Sequence, residues 1–400
     1  MEALATERGF VPRFVPVAGE APALTELRRR AFRRFEELGF PTARNEAWRY
    51  TGIQTILATD WKPRARGLRP EFPLSAGVRI RPLSEALDVV EPHLAGIASF
   101  EDAAFAALNT ALFDEAVVVE IERGAHVAEP IVLRFGGDPH QDPEVSFPRV
   151  FILGRAGSQA SIVETYSGAD RRLSDAVTEI LLEDGAILEH TKLQTEGEET
   201  FHLHTLAARL SRDSRFTSHN VAFGSALART DLHVTLAGRG AECHLYGLYA
   251  GRGRQHLDNH TVIDHAEPHC TSRELYKGIL DDASRGVFHG KIIVRPDAQK
   301  TDAIQTNKNL ILSREALVNS TPALEILADD VKCKHGSTTG QLDDKALFYL
   351  RSRGIGEADA RALLTYAFAA EVAEHIPAAS VRSAVERELG VRLGEREEIR

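Results

Sequence analysis

The rhythm of apolar positions divides the chain into three regions. Leu24, Leu27, Ala31, Phe35 and Leu38 recur every three or four residues, the spacing of one helix face, and Gly39 supplies a stop. The run 44–51, which holds Trp48, is followed by prolines at 63, 70 and 73, so residues 1–95 are predicted to form a separate, largely helical domain. Between about 115 and 340 the period becomes two, at 116–121, 151–153, 231–236 and 243–246, which predicts strands with one buried face. The third region, 341–400, returns to helical spacing. Asp343 and Asp344 precede Leu347, Phe348, Leu350 and Arg351, giving an acidic start, an apolar stripe and a basic end before Gly354. A second helix begins near Glu357 with Ala360, Leu363, Leu364, Ala367, Phe368 and Val372 on its apolar face, and Pro377 closes it. The tail keeps helical spacing at Val381, Val385 and Leu389, but its charge density predicts disorder in the last residues.

Within the strand region, 96–340, a turn residue followed by a strand recurs at Gly157, Gly185, Asp213 and Gly240, at intervals of 28, 28 and 27 residues. Each interval holds two short strands and their turns, the length of one coil of a strand solenoid. A β-sandwich, the alternative, needs no constant period. Beyond 265 the prolines 268, 296 and 322 predict interrupted strands, with longer excursions or an edge-rich sheet.

Composition narrows the function. A hydrophobic content of 43% and a charged content of 26% fit a soluble globular chain with one large core. The net charge of -10 argues against nucleic acid as a partner, because phosphate binding needs clustered cations. Arg28, Arg29, Arg30, Arg33 and Arg34 read as a solvated helix face. No apolar run is long enough to span a membrane, and the first ten residues carry Glu2 and Glu7 without the apolar core of a secretory signal. The cysteines, Cys243, Cys270 and Cys333, include no CxxC pair, which predicts neither a disulfide framework nor a structural zinc. A reducing, cytoplasmic setting is expected.

Enzyme signatures are missing. The nearest approach to a phosphate-binding loop, 286–292 (GVFHGKI), has the wrong spacing and ends in isoleucine, and there is no GxSxG, HExxH or strand-linked GxGxxG. Eleven of sixteen histidines lie between His190 and His289, with His202 and His204 on the same side of a strand. They could form a metal surface, but outward polar positions of a solenoid are the favoured reading. One segment stands apart: Cys333 and His335 sit two apart, on one face of an extended strand, and form half of a soft-metal site. The other ligands would have to come from elsewhere, including another chain. Lys332 and Lys334 are expected to favour the thiolate of Cys333.

The stretch 328–355, ADDVKCKHGSTTGQLDDKALFYLRSRGI, closely resembles the C-terminal signature of the SufB/SufD family of iron-sulfur cluster assembly proteins. The run 289–309, HGKIIVRPDAQKTDAIQTNKN, is similar to the block preceding it, and 39–51, GFPTARNEAWRYT, is similar to the N-terminal motif of the SufD branch. The resemblance implies a mainly β chain: a right-handed parallel β-helix flanked by N-terminal and C-terminal α-helical domains. It also implies a non-catalytic scaffold that pairs with SufB through the β-helix core and docks the ATPase SufC through its C-terminal helices. Leu347, Phe348, Leu350 and Arg351 are the candidates for that docking.

His335 maps onto the family histidine regarded as a contribution to cluster formation at the SufB interface, with Cys333 beside it; any metal bound by His335 would be shared with the partner. By the same resemblance, no cofactor is held tightly by the chain alone and an iron-sulfur cluster is bound transiently at the partner interface. Flavin association and self-pairing in the absence of SufB stay open. SufB has an essential cysteine where this chain carries Ala316, which argues against independent cluster assembly. The competing readings are a polysaccharide-active β-helix enzyme, which needs converging carboxylates or bound calcium on an exposed sheet, and a plain assembly module.

Overall fold

A computed structural model of the chain describes residues 9–63, 76–113, 115–136, 143–168 and 171–392. The coil is set at one corner. Gly157 (φ 69°), Gly185 (φ 66°), Asp213 (φ 54°) and Gly240 (φ 75°) all adopt the left-handed conformation, and Gly124 (φ 66°), His269 (φ 63°) and Lys300 (φ 63°) extend the series in both directions. The amide of each donates to a carbonyl one coil further on: Gly157 to Asp184 (2.9 Å), Gly185 to Arg212 (2.9 Å), Asp213 to Arg239 (3.0 Å), His269 to Gln299 (2.9 Å) and Lys300 to Asp330 (2.7 Å). Equivalent turns thus stack into a column, and the spacing seen in the sequence is the length of one coil.

The strands alternate between two sheets. One contains Pro148–Gly154, Arg172–Leu182, Phe201–Leu210, Leu227–Leu236, His256–His265, Arg285–Val294 and Leu317–Ile326; the other runs from Ile131–Phe135 through Gln159–Tyr166, Ile187–Gln194, Arg215–Ala222, Glu242–Gly251, Thr271–Leu280 and Asp302–Ile311 to Lys332–Gly340. Pairing is parallel throughout, except where Val78–Pro82 lies antiparallel on Glu115–Ile121 at the start of the first sheet. The chain is therefore a parallel β-solenoid. Beyond 265 the strands are not interrupted, and the expected lengthening amounts to three extra residues in the coil between Arg285 and Leu317. Pro268 and Pro296 fall in turns, where no ladder bond is lost, and Pro322 lies in the last strand of the first sheet, an edge position that tolerates the missing amide hydrogen.

Apolar side chains fill the space between the sheets, among them Ile152, Ile180, Leu188, Phe216, Leu232, Leu245, Ile263 and Ile292. Helices cover the outer faces. Phe35 of Pro22–Leu38 and Phe105 and Leu108 of Ala104–Leu112 pack with Phe151, Leu173 and Leu203 on the first sheet. Ala369 and Val372 of Glu357–Ala373, with Val385 and Leu389 of Ala379–Arg392, pack on Val221, Leu248 and Ile279 of the second. The 44–51 run docks on the first sheet through polar contacts. Arg229 donates to the Ala47 carbonyl (2.7 Å) and lies 3.9 Å over the Trp48 ring, while Thr51 Oγ1 donates to Asp258 Oδ2 (2.6 Å).

Gly39 caps Pro22–Leu38 as expected, its amide bonding Phe35 O. The arginine-rich face is not wholly solvated: Arg28 is buried, ion-paired with Glu20 at 2.8 Å and donating to the carbonyls of Ala111 and Phe113, because its side chain faces the helix Ala104–Leu112. The final residues for which disorder is predicted, 393–400, lie outside the described residues, as do 1–8 and the prolines 70 and 73. Among the described residues no helix is long and apolar enough to cross a membrane.

Candidate functional site

Cys333 and His335 lie in Lys332–Gly340, the last strand of its sheet, so one of its edges is unpaired; Leu317–Ile326 ends the other sheet in the same way. Register sets the side-chain directions. Cys333 sits over Ala303, His335 over Gln305 and Ser337 over Asn307, all positions that face the interior one coil below. Gln305 is 1% exposed, whereas His335 in the next coil is exposed, because no further strand stacks on it. The pair therefore shares one face, as the spacing predicts. Ser337 Oγ meets Ser320 Oγ at 2.8 Å, tying the two last strands together.

The expected thiolate is not favoured. Cys333 is half-buried against the interior core; burial raises its pKa, the Asp302 carboxylate adds to the rise, and the hydrogen bond with the Ala303 backbone only partly offsets it. Lys332 and Lys334, the neighbours expected to lower it, alternate onto the opposite face of the strand.

Below this rung the interior is unexpectedly polar. Gln305 Nε2 donates to Glu274 Oε2 (2.7 Å), and burial pushes the Glu274 carboxyl up to about 7. Deeper lie His190, His202 and His204 with Glu164, Tyr166, Lys192 and Glu196, all buried. The outward positions predicted for the histidine group hold for His233, exposed between the core residues Leu232 and Val234, but not for these three, which face inward. His190 Nε2 is 3.1 Å from Glu164 Oε1, His202 Nδ1 is 2.9 Å from Glu196 Oε2, and His204 Nε2 is 3.1 Å from Thr178 Oγ1. Burial and the nearby Lys192 ammonium depress the pKa values of His202 and His204, while burial takes Lys192 itself down to about 7. Among the described residues no group of three or more His, Cys, Asp or Glu is arranged to hold a metal.

The helix Asp344–Ser352 follows directly, capped by Asp343, whose carboxylate accepts from the Lys345 amide (2.8 Å). None of its residues is buried. Leu347 and Leu350 are half-covered, Arg351 is exposed beside Glu357 (3.4 Å), and Phe348 is 74% exposed. Tyr349 on this helix and Leu317, Ile326 and Leu327 beside the open strands are exposed large apolar residues that sequence reasoning missed. Pro322, disfavoured except on an edge strand, was the available signal for the last group.

The fold and site thus define a parallel β-solenoid whose last strands have unpaired edges, with an exposed imidazole on the final rung and a helix without buried residues directly after it. Residues 137–368 match the family described as SUF system FeS cluster assembly, SufBD core domain, and residues 17–75 match the SufBD protein N-terminal region. The chain belongs to this SufBD family of iron-sulfur cluster assembly proteins. It is 29% identical to the iron-sulfur cluster assembly protein SufD of Escherichia coli over 89% of this chain and 90% of that one. With a SufBD family protein of Mycobacterium leprae it shares 31% identity over 94% of this chain and 97% of the other. A SufBD family protein of Synechocystis sp. is 35% identical across 70% of this chain and 64% of its own length.

Proposed function

We propose that this chain is a non-catalytic scaffold subunit of the SUF machinery that joins a SufB-type chain at the open end of its solenoid and carries a SufC-type ATPase on its C-terminal helices. The observation that carries the reading is the last rung, where exposed His335 lies beside two strands with unpaired edges. Strands of another chain would satisfy those edges and could bring the further ligands that a soft metal needs. The cluster is then a substrate held briefly between two chains, to which His335 offers one imidazole nitrogen or a proton-handling group. Cys333, held as a thiol, would join only where a metal displaced its proton. Uncovered Phe348, with Leu347, Leu350 and Arg351, supports docking of the ATPase, and residues 336–343 directly link that helix to His335. Movement of the helix during ATP turnover would therefore reach the site.

His335→Ala, expressed in place of the native chain in iron-limited cells, is expected to lower cluster maturation while the complex still co-purifies in its normal ratio. Unchanged maturation with an intact complex would remove His335 from the reading.

A further inference from the structure

The corner opposite the left-handed column, where strands of the second sheet pass to the first, carries a feature unrelated to His335. A cavity of about 380 Å³ opens there, lined by Arg254, Arg285 and Arg314 together with Glu315 and Leu317. Its three guanidinium groups come from three successive coils. Among the described residues none of them has an ion pair or a side-chain hydrogen bond, although the chain carries 58 acidic against 48 basic residues. Arg252, in the same turn as Arg254, is by contrast paired with Glu198 (3.5 Å).

The local carboxylates are committed elsewhere. Asp282 Oδ2 accepts from the Gly253 amide (2.8 Å) and Asp281 Oδ1 from the Asp282 amide (2.9 Å). Glu315, the one carboxylate in the lining, pairs with none of the three. The cavity is also built by an insertion. First-sheet strands start at Leu227, His256 and Arg285, 29 residues apart, but the next starts 32 residues on, at Leu317. The longer loop brings Arg314 and Glu315, and Ser313 holds it in place, its hydroxyl donating to the Asp282 carbonyl and accepting from the Ala316 amide.

We propose that this corner is a binding site for a small phosphate-bearing anion of the pyrophosphate class. Three planar forks with their donors free suit the paired oxygens of phosphate groups, and the volume is that of a small-molecule pocket rather than a flat protein contact. Because Leu317 opens the last strand, bound anion neutralises positive charge beside the open edge.

The test is calorimetric titration of the purified full-length chain at low salt, with pyrophosphate in one arm and ADP in the other. One-to-one binding is expected. Arg285→Gln and Arg314→Gln should each weaken it about tenfold, the scale of one charge-assisted hydrogen bond. Arg252→Gln, outside the cavity, should leave it unchanged. Equal affinity in both arms assigns the site to phosphate groups alone, and tighter ADP adds the nucleoside to the ligand. These arginines are exposed, so matching circular dichroism and melting of the variants are expected to show intact folds. No binding at millimolar ligand, or binding indifferent to the Arg285→Gln/Arg314→Gln double variant, overturns the proposal. So does a result in which the variants lose only the capture of a partner chain, which would make the corner a contact for an acidic protein surface.

Discussion

Glu274 shows how strongly the solenoid interior acts on a single side chain. Burial raises its carboxyl from the ordinary 4.5 to about 7, and hydrogen bonds from Thr261 and Gln305 offset only part of the rise. Between those values the folded chain holds a proton that the unfolded chain has lost, so this group's contribution is fully present below 4.5 and is lost as pH rises through 7. Glu274→Gln should therefore gain stability relative to the native chain between pH 5 and pH 8, by on the order of a few kcal/mol in urea unfolding. A difference that stays flat with pH would mean that the carboxyl ionises normally. The turn column gives a second residue-scale expectation. A Cβ at Gly185 would meet nothing within 4 Å, so Gly185→Ala suffers only the left-handed backbone cost, about 1–2 kcal/mol, readable as a lowered urea midpoint. These turns were legible where they carry glycine or aspartate, residues that tolerate this conformation. His269 and Lys300 adopt it equally, but nothing in their side chains announces it.

At the scale of the element, periodicity revealed where strands and helices run but not which face is covered. Alternation placed His202 and His204 on one side of a strand; it could not tell that the side is interior, because the interior of this solenoid holds polar groups, with His202 beside Glu196 and His204 bonded to Thr178. The helix Asp344–Ser352 poses the converse problem. Its apolar stripe has the spacing of a core-facing surface, yet no residue is buried: the next helix, Glu357–Ala373, half-covers Leu347 and Leu350 and leaves Phe348 exposed. Phe348→Asp should therefore leave thermal melting nearly unchanged, within about 0.5 kcal/mol, since an exposed side chain is altered. The same variant should lose the co-purifying ATPase subunit; retention of that subunit would separate the exposed ring from docking. Cys333 and His335 were legible as a pair because strand geometry keeps them on one face. The raised thiol was not, since it depends on Ala303 and Asp302 in the coil below.

For the whole molecule, the constant period of the turns made the coil readable, and the irregular later coils did not break it. What local pattern could not convey was the asymmetry of the column. At one end the first sheet finishes on Val78–Pro82, a short antiparallel strand, and the second begins with five residues, Ile131–Phe135. At the other end strands of ten and nine residues stand open. Long free edges ordinarily invite endless accretion into fibres. In the proposed pairing, two such long edges meeting face to face would satisfy each other. On that proposal growth ends after a single union, because the short strands at the opposite end offer little ladder for a further chain to extend.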